Sequence, residues 1–170
     1  MPERLAQAEP GTSLVPESWS KNDVLAFSIT KGAAVTLWTL RLPDKRASAF
    51  GGVRSIGIPT NAMFSPDGRW VAYTTGDETS DRYDVIVQPF PATGEIHPIS
   101  NGRAARPIWS PDGTELFLQS GLDIFAVTIK TRPRFSIGDP VPLPYGGRVT
   151  RGGPFRARNR DVMPLSLIHI

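Results

Sequence analysis

The chain has 170 residues, 39% of them apolar and 21% charged, with a formal net charge of +3. That length is enough to bury one good core, and the modest charge excess does not by itself point to nucleic acid. The absence of cysteine excludes a disulfide scaffold, a thiolate nucleophile and a cysteine metal site.

Residues 1–15 read as an irregular N-terminal segment. Met1-Pro2-Glu3-Arg4-Leu5 lacks the basic-then-apolar order of a secretory signal, and no run approaches the ~18 apolar residues of a membrane span. A first unit, 16–53, opens on Trp19-Ser20-Lys21-Asn22-Asp23. It continues through the apolar runs 24–27 and 35–40 to a short closing segment, 47–50. A second unit, 54–100, opens on Phe64-Ser65-Pro66-Asp67-Gly68, followed by runs at 70–73 and 85–87 and a closing segment at 97–100. A third, 101–144, opens on Trp109-Ser110-Pro111-Asp112-Gly113, with runs at 116–118 and 124–127 and a closing segment at 141–143. Residues 145–164 read as a loop and the start of another unit, with Pro164 where Pro66 and Pro111 stood. The chemistry then changes abruptly: Leu165-Ser166-Leu167-Ile168-His169-Ile170 resembles the translated end of a sequencing adaptor and is set aside from fold reasoning.

The aromatic-Ser-Pro-Asp-Gly phrase recurs at a spacing of forty-five residues, and its worn first copy keeps the same spacing. Proline presets φ for a turn, aspartate bonds its own backbone, and glycine accepts positive φ. Each turn leads into β-branched and aromatic runs of strand length. Seventeen prolines and sixteen glycines spread along the chain leave no room for helical periodicity. Self-similarity at this period, with four short antiparallel strands per unit, predicts an all-β fold: a partial β-propeller of about three four-stranded blades. Propellers typically close with about 4–8 blades, so an arc of three exposes an open flank at each end. Those flanks predict self-association and a tendency to aggregate.

The run Phe64 to Tyr73, followed by Asp84-Val85-Ile86-Val87-Gln88-Pro89-Phe90-Pro91 and by Arg106 to Phe117, resembles the WD40-like repeats of TolB-type propellers. It is similar in particular to the propeller C-terminal to the kinase domain of bacterial receptor-like serine/threonine kinases. The first unit departs from the pattern, with Lys21-Asn22 in place of Pro-Asp and Thr36 where Asp84 and Asp123 stand. The resemblance implies a non-catalytic sensor that recognises a protein or small ligand at its loop-bearing face. It implies a periplasmic or extracytoplasmic location if the parent is such a kinase. Prolyl-oligopeptidase-type peptidases carry similar N-terminal gating propellers, and a free-standing periplasmic TolB-like interaction protein is a third possibility.

No catalytic, cofactor-binding or metal-binding residue is assigned from the sequence. His97, beside a proline at an edge strand, lacks the positioned partner of a general base, and His169 falls in the terminal hexapeptide. Neither a Gly-x-Ser-x-Gly elbow nor the kinase loops occur. The acidic stretch Asp77–Asp84 lacks the order of a calcium loop and reads as a solvated hairpin turn. Asp67 and Asp112 repeat with their turns, and Asp84 and Asp123 with their strands, which predicts structural hydrogen bonding to backbone. Arg148, Arg151, Arg156, Arg158 and Arg160, with Phe155, form one short basic cluster, a weak footprint for nucleic acid, which is not expected as a partner. Trp19, Trp38, Trp70 and Trp109 are expected to pack between blades. No membrane insertion is expected.

Overall fold

A computed structural model describes residues 7–144. The elements run β1 (Thr12–Ser20), β2 (Val24–Lys31), β3 (Ala34–Arg41), β4 (Arg46–Ile56), β5 (Met63–Phe64) and β6 (Trp70–Asp77). After a 3₁₀ turn at Glu78–Ser80 come β7 (Arg82–Pro89), β8 (His97–Pro98), β9 (Ala105–Trp109), β10 (Glu115–Ser120), β11 (Asp123–Lys130), β12 (Ser136–Ile137) and β13 (Val141–Leu143). Consecutive strands pair antiparallel into three meanders: β1-β2-β3-β4, β5-β6-β7-β8 and β9-β10-β11-β13, with β12 a short addition beside the end of β11. Among the described residues, one parallel bridge, Ile56 to Asp77, joins the first meander to the second. Their architecture is a β-propeller arc of three four-stranded blades.

Every apolar run read as a strand overlaps one, although of the closing segment 97–100 only His97–Pro98 is in β8, and two boundaries move. β1 begins at Thr12, inside the stretch expected to be irregular, and β4 continues to Ile56, past the expected end of the first blade at 53. The register explains why the sequence misplaced both. The first strand carries a bulge between Pro16 and Ser18 and an exposed proline, so its alternation is broken. The fourth strand is mostly exposed and poor in large apolar residues.

The Pro-Asp-Gly turns share one design. Ser65 Oγ donates to Asp67 Oδ1 (2.6 Å) and accepts from the Trp70 amide (3.0 Å). Ser110 Oγ does the same with Asp112 Oδ1 (2.6 Å) and the Glu115 amide (2.9 Å). The same carboxylate oxygen accepts the amide of Arg69 or Thr114, both at 3.1 Å, so each turn amide finds an acceptor at a strand end. In the first blade the turn is one residue shorter: Trp19 pairs with Leu25, whereas Phe64 pairs with Val71 and Trp109 with Leu116. The left-handed position that Gly68 and Gly113 fill is there taken by Asp23, at φ 56°.

Two apolar seams hold the arc together. In the first, Val24, Ala26, Leu37 and Phe50 of blade one meet Phe64, Val71, Tyr73 and Ile86 of blade two. Edge-on rings, Phe50 with Tyr73 (centroids 6.5 Å) and Phe64 with Phe90 (5.1 Å), fill it. In the second, Ala72, Val85, Val87 and Ile99 of blade two meet Trp109, Leu116, Leu118 and Val127 of blade three. Strand alternation makes this possible: Val71 and Tyr73 face backward to blade one, and Ala72, between them, faces forward to blade three. Each buried side chain of this size contributes about 1.5–3 kcal/mol, so the seams dominate the cohesion of the arc.

The tryptophan expectation needs correction. Trp109 is buried in a seam, but Trp19, its repeat equivalent, is 53% exposed because no blade precedes it among the described residues. Trp38 is half-buried on the same outward side of blade one, where its indole N–H donates to Thr36 Oγ1 at 3.0 Å. Trp70 sits at the margin of the second seam against Phe135 (centroids 4.9 Å).

Candidate recognition site

Antiparallel connection sorts the loops of a blade onto two ends. The Pro-Asp-Gly turns and the third-to-fourth-strand links lie at one end. The hairpin turns at 32–33, 78–81 and 121–122, and the links between blades, lie at the other. Several clefts open at that second end, among them two beside the first two hairpin turns and one of about 510 Å³ beside the link between blades two and three.

The first, about 520 Å³, lies between the β2–β3 turn, the link from β4 to β5 and the start of β1. A hydrogen bond from the Gly57 amide to the Ala33 carbonyl (2.7 Å) ties the turn to the link. Glu17 sits in its wall as a clamp between blades: one carboxylate oxygen accepts from Thr60 Oγ1 (2.8 Å), the other from the Ala62 amide (2.9 Å). One residue on, Ser18 Oγ accepts from the Phe64 amide at 3.1 Å. Side chains of the inner strand of blade one thus satisfy backbone donors of the next inner strand. Ser28, Thr30 and Asn61 add hydroxyl and amide groups, and among the described residues no basic side chain lines the cleft.

The second cleft, about 470 Å³, runs beside the end of β4 and the β6–β7 hairpin. Its acidic turn is held from within. Asp77 caps the 3₁₀ turn, accepting from the Thr79 amide (2.8 Å) and hydroxyl (2.6 Å), which holds its carboxyl below the usual range. Asp81 pairs with Arg103, reaching across to the link between blades two and three. Asp84 accepts from Ser100 Oγ (2.9 Å) and from the Gly102 amide, the neighbouring-turn role expected of it. Asp123 makes no such bond among the described residues. Nor do those residues contain a group of three or more His, Asp or Glu placed to hold a metal ion.

His97 lies on the edge strand β8, stacked on Phe135 (centroids 3.7 Å) with Nε2 2.9 Å from Glu95 Oε1. It braces the outer rim and lines none of these clefts. The arginine cluster 148–160, Phe155 and the terminal hexapeptide lie outside the described residues.

Asp67 and Asp112 act through their turns. Burial works to raise the Asp67 carboxyl, but hydrogen bonds from Ser65 and Arg69 and the Arg69 charge outweigh it and hold it low. At Asp112 the Ser110 hydroxyl and the Thr114 amide and hydroxyl lower it. Both folded values therefore lie below the ordinary value of 3.8. The stabilisation is complete above that value and is lost as pH falls through it toward the folded values. Urea midpoints are expected to be level from neutral pH down to about pH 5 and to fall below about pH 4. Asp112→Asn should make the acid decline shallower, and an unchanged slope would contradict this role.

Glu17 and Asn61 were not singled out from the sequence. The available signal was positional: each lies two or three residues before the aromatic of the repeated phrase, where Arg106 stands in blade three. Asn61 and Arg106 share a left-handed backbone, φ 44° and 57°. Arg106 is buried, its Nη1 donating to Gln119 Oε1 at 3.0 Å.

Comparison with family models and with curated proteins finds no match. Solved structures do match. The β-propeller domain of the Trilobed protease from Pyrococcus furiosus superposes with a TM-score of 0.60 at 15% identity, over 78% of this chain and 43% of that one. TolB from Acinetobacter baumannii gives 0.58 at 19% identity, over 83% and 35%. A putative TolB from Agrobacterium tumefaciens gives 0.56 at 11%, over 82% and 52%. The fold is that of a TolB-like β-propeller, and the chain spans about half or less of the length of these structures.

Proposed function

We propose that this chain is a non-catalytic recognition module, the sensor portion of a membrane-bound serine/threonine kinase located outside the cytoplasm. It takes a protein or small ligand at the cleft-bearing end. The observation that carries the recognition role is the cleft of about 520 Å³ built by two connections and the first half of β1 and braced by Glu17, on a scaffold of paired strands. The kinase context is supported by the resemblance of Asp84–Pro91 and its flanking repeats. A second reading, the gating propeller of a peptidase, is favoured by the likeness to the propeller domain of the Trilobed protease.

Two experiments test this. A fragment library titrated into isotope-labelled protein should shift the backbone amides of residues 28–33 and of Gly57, Ile58, Thr60 and Asn61. Ala33→Trp should abolish those shifts and Thr114→Trp, at the opposite end, should leave them. Shifts confined to the Pro-Asp-Gly end would sink the site. Sequencing outward from the source locus tests the context: a kinase catalytic loop and membrane span upstream agree with the reading, and a Gly-x-Ser-x-Gly elbow downstream replaces it with the peptidase one.

A further inference from the structure

The link between blades two and three, residues 99–104, is fastened to blade two through one carboxylate. Asp84 Oδ1 accepts from Ser100 Oγ (2.9 Å) and from the Gly102 amide, and Ser100 Oγ in turn accepts from the Val85 amide (2.9 Å). Between those two held residues stands Asn101, exposed and lining the cleft beside the link. Of the four asparagines it is the one that precedes a glycine. Gly102 is exposed too, with a left-handed φ of 92°, and apart from its chain neighbours no atom lies within 4 Å of where a Cβ would stand. Its nitrogen is therefore open to the side chain before it. Asn61 contrasts on every count: it is buried, its amide donates to the Pro59 carbonyl (3.2 Å), and the amide that follows it is held by Glu17.

We propose that Asn101 is a deamidation site and that Asp84 is the latch that slows it. The Gly102 nitrogen bonds to Asn101 Cγ, the Cγ–Nδ2 bond breaks, and ammonia leaves with the proton of the Gly102 amide. A five-membered imide remains. Water opens it at either carbonyl, giving aspartate, or isoaspartate with a main chain one methylene longer. The attack requires the Gly102 amide to give up its proton and to swing toward Cγ. Donation to Asp84 opposes both, since loss of that proton would set two anions face to face. In isoaspartate the extra methylene falls between Ser100 and Gly102, the two groups that Asp84 holds, so the latch does not re-form. Either product also adds a carboxylate to the wall of the cleft beside the link.

Peptide mapping by mass spectrometry can follow the full 170-residue chain during storage in warm neutral buffer, with isoaspartate read by enzymatic methyl transfer. Conversion should appear at Asn101 and not at Asn61, and should run slower than in a free peptide of residues 97–106. Asp84→Ala should speed it by about tenfold or more, as expected for loss of a hydrogen bond to a charged group. Asp84→Asn, which keeps the shape without the charge, should fall between. If circular dichroism shows Asp84→Ala unfolded, the comparison rests on Asp84→Asn alone. Absence of conversion at Asn101 by the time the free peptide is fully converted would overturn the site. Equal rates in wild type and variants would overturn the latch, as would slower conversion in Asp84→Ala.

Discussion

Trp109→Ala is expected to remove about 3–5 kcal/mol of stability, the usual cost of deleting a large buried aromatic. Trp109 is almost fully buried, and its ring fills the seam formed by Ala72, Val85 and Val87 on one side and Leu116 and Leu118 on the other. These neighbours sit on paired strands and cannot collapse inward without breaking register, so the cavity persists. Domains of this size are stable by about 5–15 kcal/mol in total, so the variant loses a large share of its margin. Trp19→Ala, at the equivalent position of blade one, should leave the urea midpoint nearly unchanged, because Trp19 is 53% exposed. Equal losses at the two sites would contradict the exposure of Trp19.

Gly76→Ala should be as damaging for a different reason. Gly76 pairs with Tyr83 near the end of the β6–β7 hairpin. A Cβ there would lie 2.5 Å from Tyr83 Cα and 2.8 Å from Tyr83 Cβ, and would press on the Arg82 carbonyl as well. The first and last of these are backbone atoms, so relief requires the two strands to separate. The expected cost is about 3 kcal/mol, the upper end for overpacking, with β6–β7 amides losing hydrogen-exchange protection first. Gly32→Ala, at the β2–β3 turn, meets no atom within 4 Å. It carries only the strain of its left-handed φ of 59°, about 1 kcal/mol. Matched losses from the two variants would refute the close approach at Gly76.

The blades were legible because turn chemistry and alternation agree within each repeat. Ser65-Pro66-Asp67-Gly68 dictates a turn, and Val71 and Tyr73 then alternate with Ala72. What escaped the sequence is long-range. The exposure of Trp19 depends on which blade stands before it, and nothing local distinguishes it from Trp109. The deleted turn residue in blade one was masked because the phrase keeps its spacing while the strand after it shifts by one. Glu17 went unnoticed because its role is to bond the backbone of Ala62, forty-five residues on. The clefts are likewise a product of links between blades, whose sequences, such as Gly57-Ile58-Pro59-Thr60, carry no motif. Asp67 and Asp112 were legible as structural because each recurs with its own turn, whereas recurrence misled for the pair Asp84 and Asp123: Asp84 accepts from Ser100 and Gly102, and Asp123 makes no such bond among the described residues.

The central claim is that successive repeats pack as neighbouring blades of an arc. Nuclear Overhauser contacts between aromatic rings and methyl groups test it most directly. The account requires contacts from the Phe64 ring to Val24 and Leu37 methyls, and from the Trp109 ring to Val85 and Val87 methyls. Each aromatic must reach back into the preceding repeat. If both rings instead contacted only residues of their own repeat, or if Phe64 and Trp109 packed on each other as in a sandwich, the propeller arc would be contradicted.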